Sequence, residues 1–240
     1  MNALGLDAIY VLNVRAYEDR RRHVTAELQR FGLVAEFIHD FDIADITLAI
    51  DREWFTADAP LNPGQRSCAL KHLEALRRIR DRGQAAALVL EDDVVLSPAF
   101  DQGVRDALAE SRRWPALQVI FIGSGGNFYT PRSERRPGQR LYASRRGRFG
   151  DSYILGAGAA GARLDWLATH RVGRPIDNQF EQTDQALGVT MLWLEDPVVE
   201  QGSKNGLFHT TLEAAPPPPI QRLKFGWEKL RRKYLYQLWR

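Results

Sequence analysis

The chain has almost no sulfur. With one cysteine, Cys68, and two methionines in 240 residues, it has no means of building an internal disulfide framework, and the expected setting is a reducing cytoplasm. Long apolar runs are missing too. The stretch over 8–14 is too short to cross a bilayer and lacks the basic start and small-residue cleavage site of a signal peptide, and no other run approaches membrane length. Phosphate-loop signatures are also absent. Gly123-Ser-Gly-Gly126 follows a strand pattern but lacks the Lys-Ser/Thr of a P-loop and the full dinucleotide spacing. The basic segments contain no recognisable nucleic-acid-binding motif, and no nucleic-acid partner is expected.

What is present is a sizeable apolar fraction, 44%, beside 26% charged residues, enough for one α/β domain with additions. The expected organisation is a domain over residues 1–215, a polyproline spacer over 216–219 and a basic amphipathic tail over 220–240. The net charge of +3 hides an asymmetry. Residues 132–148 hold seven arginines against Glu134, and the tail holds seven Lys or Arg against Glu228, so the rest of the chain is acidic. Two local basic patches suggest anionic partners. In the tail, Leu223, Trp227, Leu230, Tyr234 and Leu238 share one helical face. That pattern suits either an anionic membrane surface or docking on protein.

The most informative stretch is Ala85-Ala-Ala-Leu-Val-Leu-Glu-Asp-Asp-Val-Val-Leu96. A small and aliphatic run ending in three acids reads as a strand buried on both faces that delivers carboxylates to the rim of a mostly parallel sheet, where open α/β sheets bind ligands. Residues at i and i+2 share a side of an extended chain, so Glu91 and Asp93 can point together while Asp92 points away. Hard oxygen ligands of this kind suit Mg²⁺ or Mn²⁺ with a substrate phosphate completing the shell. The plainer alternative is a charged loop after a core strand.

Around this stretch the periodicity predicts a β-α-β opening: a strand over 7–14, a helix over 23–31 closed by Gly32, and a strand over 34–39. Arg15 and Arg20 follow the first strand at the same rim and can grip a diphosphate. Residues 40–64 read as irregular, and a helix is predicted over 65–82. Cys68 and His72 lie one turn apart on its apolar stripe, a core histidine being favoured over a metal ligand. Further strands are predicted at 117–122, 151–155 and 191–194 and a helix at 159–170, with the arginine-rich run to Arg148 read as a mobile surface loop.

Five segments occur in a characteristic order: Tyr10-Val-Leu-Asn13 with Arg15 and Arg20, Gly64-Gln-Arg-Ser-Cys-Ala-Leu-Lys-His72, Leu90-Glu-Asp-Asp-Val94, Asp151-Ser-Tyr-Ile-Leu155, and Arg174-Pro-Ile-Asp177. Together they resemble glycosyltransferase family 25, the lipooligosaccharide galactosyltransferases related to procollagen galactosyltransferases. The resemblance implies a GT-A-like, Rossmann-type sandwich that transfers galactose from UDP-galactose, with inversion, to a saccharide or lipid-linked saccharide acceptor. It implies Asp93 as the direct metal ligand, with Glu91 or Asp92 reaching the ribose or a metal-bound water, and Asn13, Arg15 and Arg20 near the nucleotide. Gln65 and His72 fall near the donor sugar, although the family usually has Glu at position 65 and Ser at the position of Lys71. Asp177 is the first choice as general base, with Asp151 and Asp184 in reserve, and His209 is a candidate third metal contact. The rival expectation is a non-catalytic protein that binds nucleic acid or anionic glycan through the basic segments.

Overall fold

A computed structural model describes residues 2–125, 128–202, 227 and 231. In chain order the elements are β1 (Ala8–Leu12), α1 (Glu18–Gln29), β2 (Glu36–Ile38), α2 (Leu48–Trp54), α3 (Pro63–Asp81), β3 (Ala87–Glu91), β4 (Val94–Leu96), α4 (Phe100–Ser111), β5 (Gln118–Phe121), β6 (Leu141–Ser144), β7 (Ser152–Leu155), α5 (Ala157–His170), α6 (Ile176–Leu187), β8 (Thr190–Leu194) and β9 (Val199–Gln201).

Among the described residues, the main sheet has seven strands in the order β2-β1-β3-β7-β5-β8-β6. β2, β1, β3, β5 and β8 run one way, and β7 and β6 run against them. The mostly parallel α/β sheet expected from the sequence is therefore present.

Strand residues alternate between two cores, as the period of an extended chain requires. Tyr10, Leu12 and Val89 face a layer made by α3, α5 and α6. Ile9, Val11, Leu88 and Leu90 face α1 and α4. β3 is buried at 87–90, which explains its unbroken apolar spelling: each aliphatic side chain, on whichever face, contributes about 1.5–3 kcal/mol on leaving water.

Helix α3 starts at Pro63, two residues before the expected 65. Asn62 and Gln65 form a reciprocal capping box, and Pro63 opens the first turn. It ends at Gly83, whose φ of +60° is a left-handed conformation that glycine adopts without a Cβ penalty.

Several boundaries differ from expectation. The acids do not simply end a strand: Asp92 and Asp93 form a turn, after which β4 pairs antiparallel with β9 in a separate two-stranded sheet. The stretch over 40–64 is not wholly irregular, because Thr47 caps the short helix α2. The segment after Arg174, for which the sequence pattern predicts no element, forms α6. The arginine-rich run is not a surface loop throughout. It contains edge strand β6, paired with β8, and Arg148 is buried, donating to the carbonyls of Gly123, Phe128 and Leu194.

No helix among the described residues is long and apolar enough to cross a membrane. The proline spacer and nearly all of the proposed basic tail lie outside the described residues, as does His209.

Candidate active site

Topology collects the acids. β1 and β3 end side by side, Leu12 opposite Glu91. Because β7 runs antiparallel to β3, the residues that start it lie at the same rim: Ser152 pairs with Leu90, and the Asp151 carbonyl accepts from the Glu91 amide at 2.9 Å. The Asp151 carboxylate lies against Gly123, where a Cβ would stand 2.7 and 2.8 Å from its two oxygens, so the glycine after β5 makes room for an acid. Asp177, in the first turn of α6, accepts from the Gly150 amide at 2.7 Å, and an anion there also suits the helix N-terminus.

Glu91 shows the electrostatic result. Burial, then Asp93, Asp177, Asp151 and Asp92, push its carboxyl well above the usual range. Its Oε2 accepts from Gln201 Nε2 at 3.1 Å, and its Oε1 lies 4.0 Å from His72 Nε2.

Asp92 is held differently. Asn13 Nδ2 donates to one carboxylate oxygen at 2.8 Å and Arg20 to the other at 2.9 Å. Burial raises its pKa, and Arg20 and Asn13 oppose that shift. Asp92 therefore ties the acidic turn to β1 and α1, and its two engaged oxygens suit orientation better than direct metal ligation.

Beside these groups lies a cleft of about 440 Å³. Leu12, Val14, Tyr17, Ile43 and Pro63 give it apolar walls, Glu91 and Asp92 an acidic end, and Arg20 and Lys71 two cations. The Arg20 guanidinium stands over the Tyr17 ring, 5.2 Å from its centroid. Lys71 Nζ donates to the Asp40 carbonyl and to Asp42 Oδ1, each at 2.7 Å, and Ser67 donates to the Phe41 carbonyl. These bonds fasten the 40–45 segment to α3 at the cleft wall. Phe41 itself has φ +62°.

Asn13, Arg20, Glu91, Asp92, Asp93, Asp151 and Asp177 are thus gathered at one rim. Other candidates are placed elsewhere or engaged differently. Arg15 is half exposed and pairs with Asp42 at 3.4 Å and Asp45 at 2.7 Å, outside the cleft lining. Gln65 closes the α3 capping box. His72 is fully buried, its Nδ1 3.0 Å from the Tyr153 hydroxyl, and burial with Arg163 nearby lowers its pKa to about 3, so the ring is neutral.

Asp184 requires a correction. Both of its oxygens accept from Arg163, at 2.8 and 2.6 Å, and both residues are buried. A carboxylate locked in that pair has no route to an acceptor hydroxyl, so Asp184 is not a reserve base.

Sequence reasoning missed Tyr153, Gln201 and the approach of Cys68 to Glu91. Donor atoms of Cys68, His72 and Glu91 all lie within 4.8 Å of one another. The one-turn spacing of Cys68 and His72 was visible, but nothing local says which strand end meets that face of α3.

A family model described as "Glycosyltransferase family 25 (LPS biosynthesis protein)" matches residues 6–132. The chain is also similar to a "Glycosyltransferase 25 family member" of Anopheles gambiae, 28% identical over 133 residues, and to one of Aedes aegypti, 26% identical over 132. Each match covers 50% of this chain but only 22% and 21% of those relatives, so the chain spans about a fifth of their length.

Proposed function

This chain belongs to glycosyltransferase family 25, and from that premise we propose that it transfers a hexose, galactose first among candidates, from a UDP-sugar to a saccharide acceptor of lipooligosaccharide or lipopolysaccharide, with inversion. The observation that carries this reading is the meeting of Glu91, Asp93, Asp151 and Asp177 at one sheet rim beside a cleft of about 440 Å³.

The cleft has the two characters a nucleotide diphosphate needs. Tyr17 and the aliphatic wall offer apolar surface for a base and ribose, and Arg20 and Lys71 offer positive charge. The residues at the acidic end fit a divalent cation, because negative charge concentrated around Glu91 is what such an ion would relieve. Asp93 and Glu91 would hold Mn²⁺ or Mg²⁺, which when bound supplies positive charge against the diphosphate leaving group.

The chain's own residues divide the remaining work. Asp177 takes the proton of the acceptor hydroxyl, and the Gly150 amide fixes the orientation of its carboxylate. Asp92, clamped by Asn13 and Arg20, holds the acidic turn in register with β1. Asp151 adds negative charge near Glu91 and remains the alternative base. The proposed acceptor is a lipid-linked saccharide, and the basic tail would bring the enzyme to the anionic membrane that carries it.

The test is release of UDP from UDP-galactose and UDP-glucose in the presence of truncated lipooligosaccharide acceptors, with Mn²⁺ or EDTA. Acceptor-dependent, Mn²⁺-dependent release supports the proposal. No release from any donor, together with salt-sensitive binding of polyanions, would favour the binding-protein alternative.

A further inference from the structure

We propose that Cys68 Sγ, His72 Nε2 and Glu91 Oε1 form a three-ligand site for a thiophilic divalent cation of the Zn²⁺ class, with the fourth coordination position facing the cleft. The three donors already stand within 4.8 Å of one another. They come from two rigid elements: Cys68 and His72 are one turn apart on α3, on the same face, and Glu91 is the last residue of β3.

The state of His72 points to a ligand. Its side chain is fully buried, and Nε2 has no hydrogen-bond partner. The nearest carboxylate oxygen, Glu91 Oε1, is 4.0 Å away, too far for a hydrogen bond. The tautomer whose Nδ1–H donates to the Tyr153 hydroxyl, 3.0 Å away, leaves the lone pair on Nε2, the form in which imidazole binds metals. A polar partner on the distal nitrogen is also the usual support for a metal-binding histidine. Tyr153 stacks on the ring at 5.8 Å and Phe180 packs edge-on at 5.7 Å, so the ring is aimed and held.

Glu91 is oriented in the same sense. Gln201 engages Oε2, while Oε1 is the atom turned toward His72. Tetrahedral Zn²⁺ bonds set neighbouring donors about 3.5 Å apart, so the site closes through small side-chain rotations. Cys68 and Glu91 both line the cleft, which gives the ion its entry path.

A thiolate with an imidazole selects a borderline cation over Mg²⁺ or Mn²⁺, so this site is chemically distinct from the all-oxygen one proposed around Asp93. Metal binding here stands independently of the transfer reaction. One consequence rests on that reading: because Glu91 serves both sites, Zn²⁺ would inhibit transfer by competing with Mn²⁺ for a shared carboxylate.

The test is a Co²⁺ titration of the full chain after chelation. Cys68 is the only thiol in the sequence, so a sulfur-to-cobalt charge-transfer band in the near ultraviolet reports on that residue without any variant. The expected result is one Co²⁺ per chain, such a band, the intense visible bands of tetrahedral cobalt, and loss of all of them on adding Zn²⁺. Cys68→Ser, with an unchanged circular dichroism spectrum, should weaken Zn²⁺ binding by at least about tenfold, since even the outer partners of a ligand are commonly worth that much. Cobalt bound without the band, no cobalt bound, or wild-type Zn²⁺ affinity in Cys68→Ser would overturn the proposal. Should the variant fail to fold, the wild-type spectrum decides alone, and an effect on transfer with no band would count only against the second site.

Discussion

Arg20 neutralises the middle residue of the acidic turn from a different element, its guanidinium donating to Asp92 Oδ1 across 2.9 Å. Their side chains are only 15% and 8% exposed, so the contact is shielded well enough to matter. Replacing Arg20 by methionine leaves a buried carboxylate without its cation, and the expected cost is about 2 kcal/mol. Thermal denaturation of the ligand-free protein checks this. An arginine that served only a donor diphosphate would leave that melting temperature unchanged.

Asp177→Asn should lower kcat by about 10²- to 10⁴-fold, the usual contribution of a positioned general base, while KM for the nucleotide-sugar changes little. Steady-state kinetics with a fixed acceptor separate the two parameters. Full turnover in the variant would pass the role of base to Asp151.

Asp184→Asn should behave in the opposite way. It strands the buried Arg163 guanidinium, at a cost of about 3–5 kcal/mol, yet kcat per folded molecule should hold. Replacing both residues by apolar ones of similar volume should recover much of the loss. Denaturant melts combined with active-site-normalised turnover distinguish this structural role from catalysis.

The pKa of Glu91 is raised in the folded protein above its ordinary 4.5, so the folded state binds that proton more tightly than the unfolded chain does. The stability associated with the group is fully present below the ordinary value and is lost as pH rises toward the raised one. Glu91→Gln should therefore match wild type in acid and exceed it at neutral pH. Divalent cation, which offsets the same crowding of charge, should stabilise wild type more at neutral pH than in acid, and should do less for the variant. Melting curves across pH, with and without Mn²⁺, test both signs.

Much of the fold was legible because it rests on local patterns. The β3 run is aliphatic on both faces and the sheet buries both, and the apolar stripe of α3, with His72, Leu76 and Ile79 at helical spacing, is the face it buries. Helix α6 was not read, because its buried positions include Gln179, Thr183 and Asp184, polar residues that weaken the apolar stripe. The burial of Arg148 was equally hidden: an arginine in a basic run looks solvated until three backbone carbonyls are found around it.

The candidate site was legible residue by residue but not as an arrangement. The acids of 91–93 announce themselves as a cluster, whereas Asp151 joins them only because β7 runs against β3, and strand direction is a property of topology. Gln65 and Arg15 have the residue types a donor site uses, but Gln65 is engaged in a helix cap and Arg15 in an ion pair with Asp45. The approach of Cys68 and His72 to Glu91 likewise depends on α3 packing over the end of β3.

The most direct measurement is calorimetric titration of UDP into the protein in Mn²⁺ and in EDTA, for wild type and for Asp93→Asn. Binding that needs both the metal and the intact carboxylate is the predicted result. Equal affinity in EDTA, or affinity untouched by Asp93→Asn, would contradict the assignment of the acidic turn to a metal-held nucleotide-sugar.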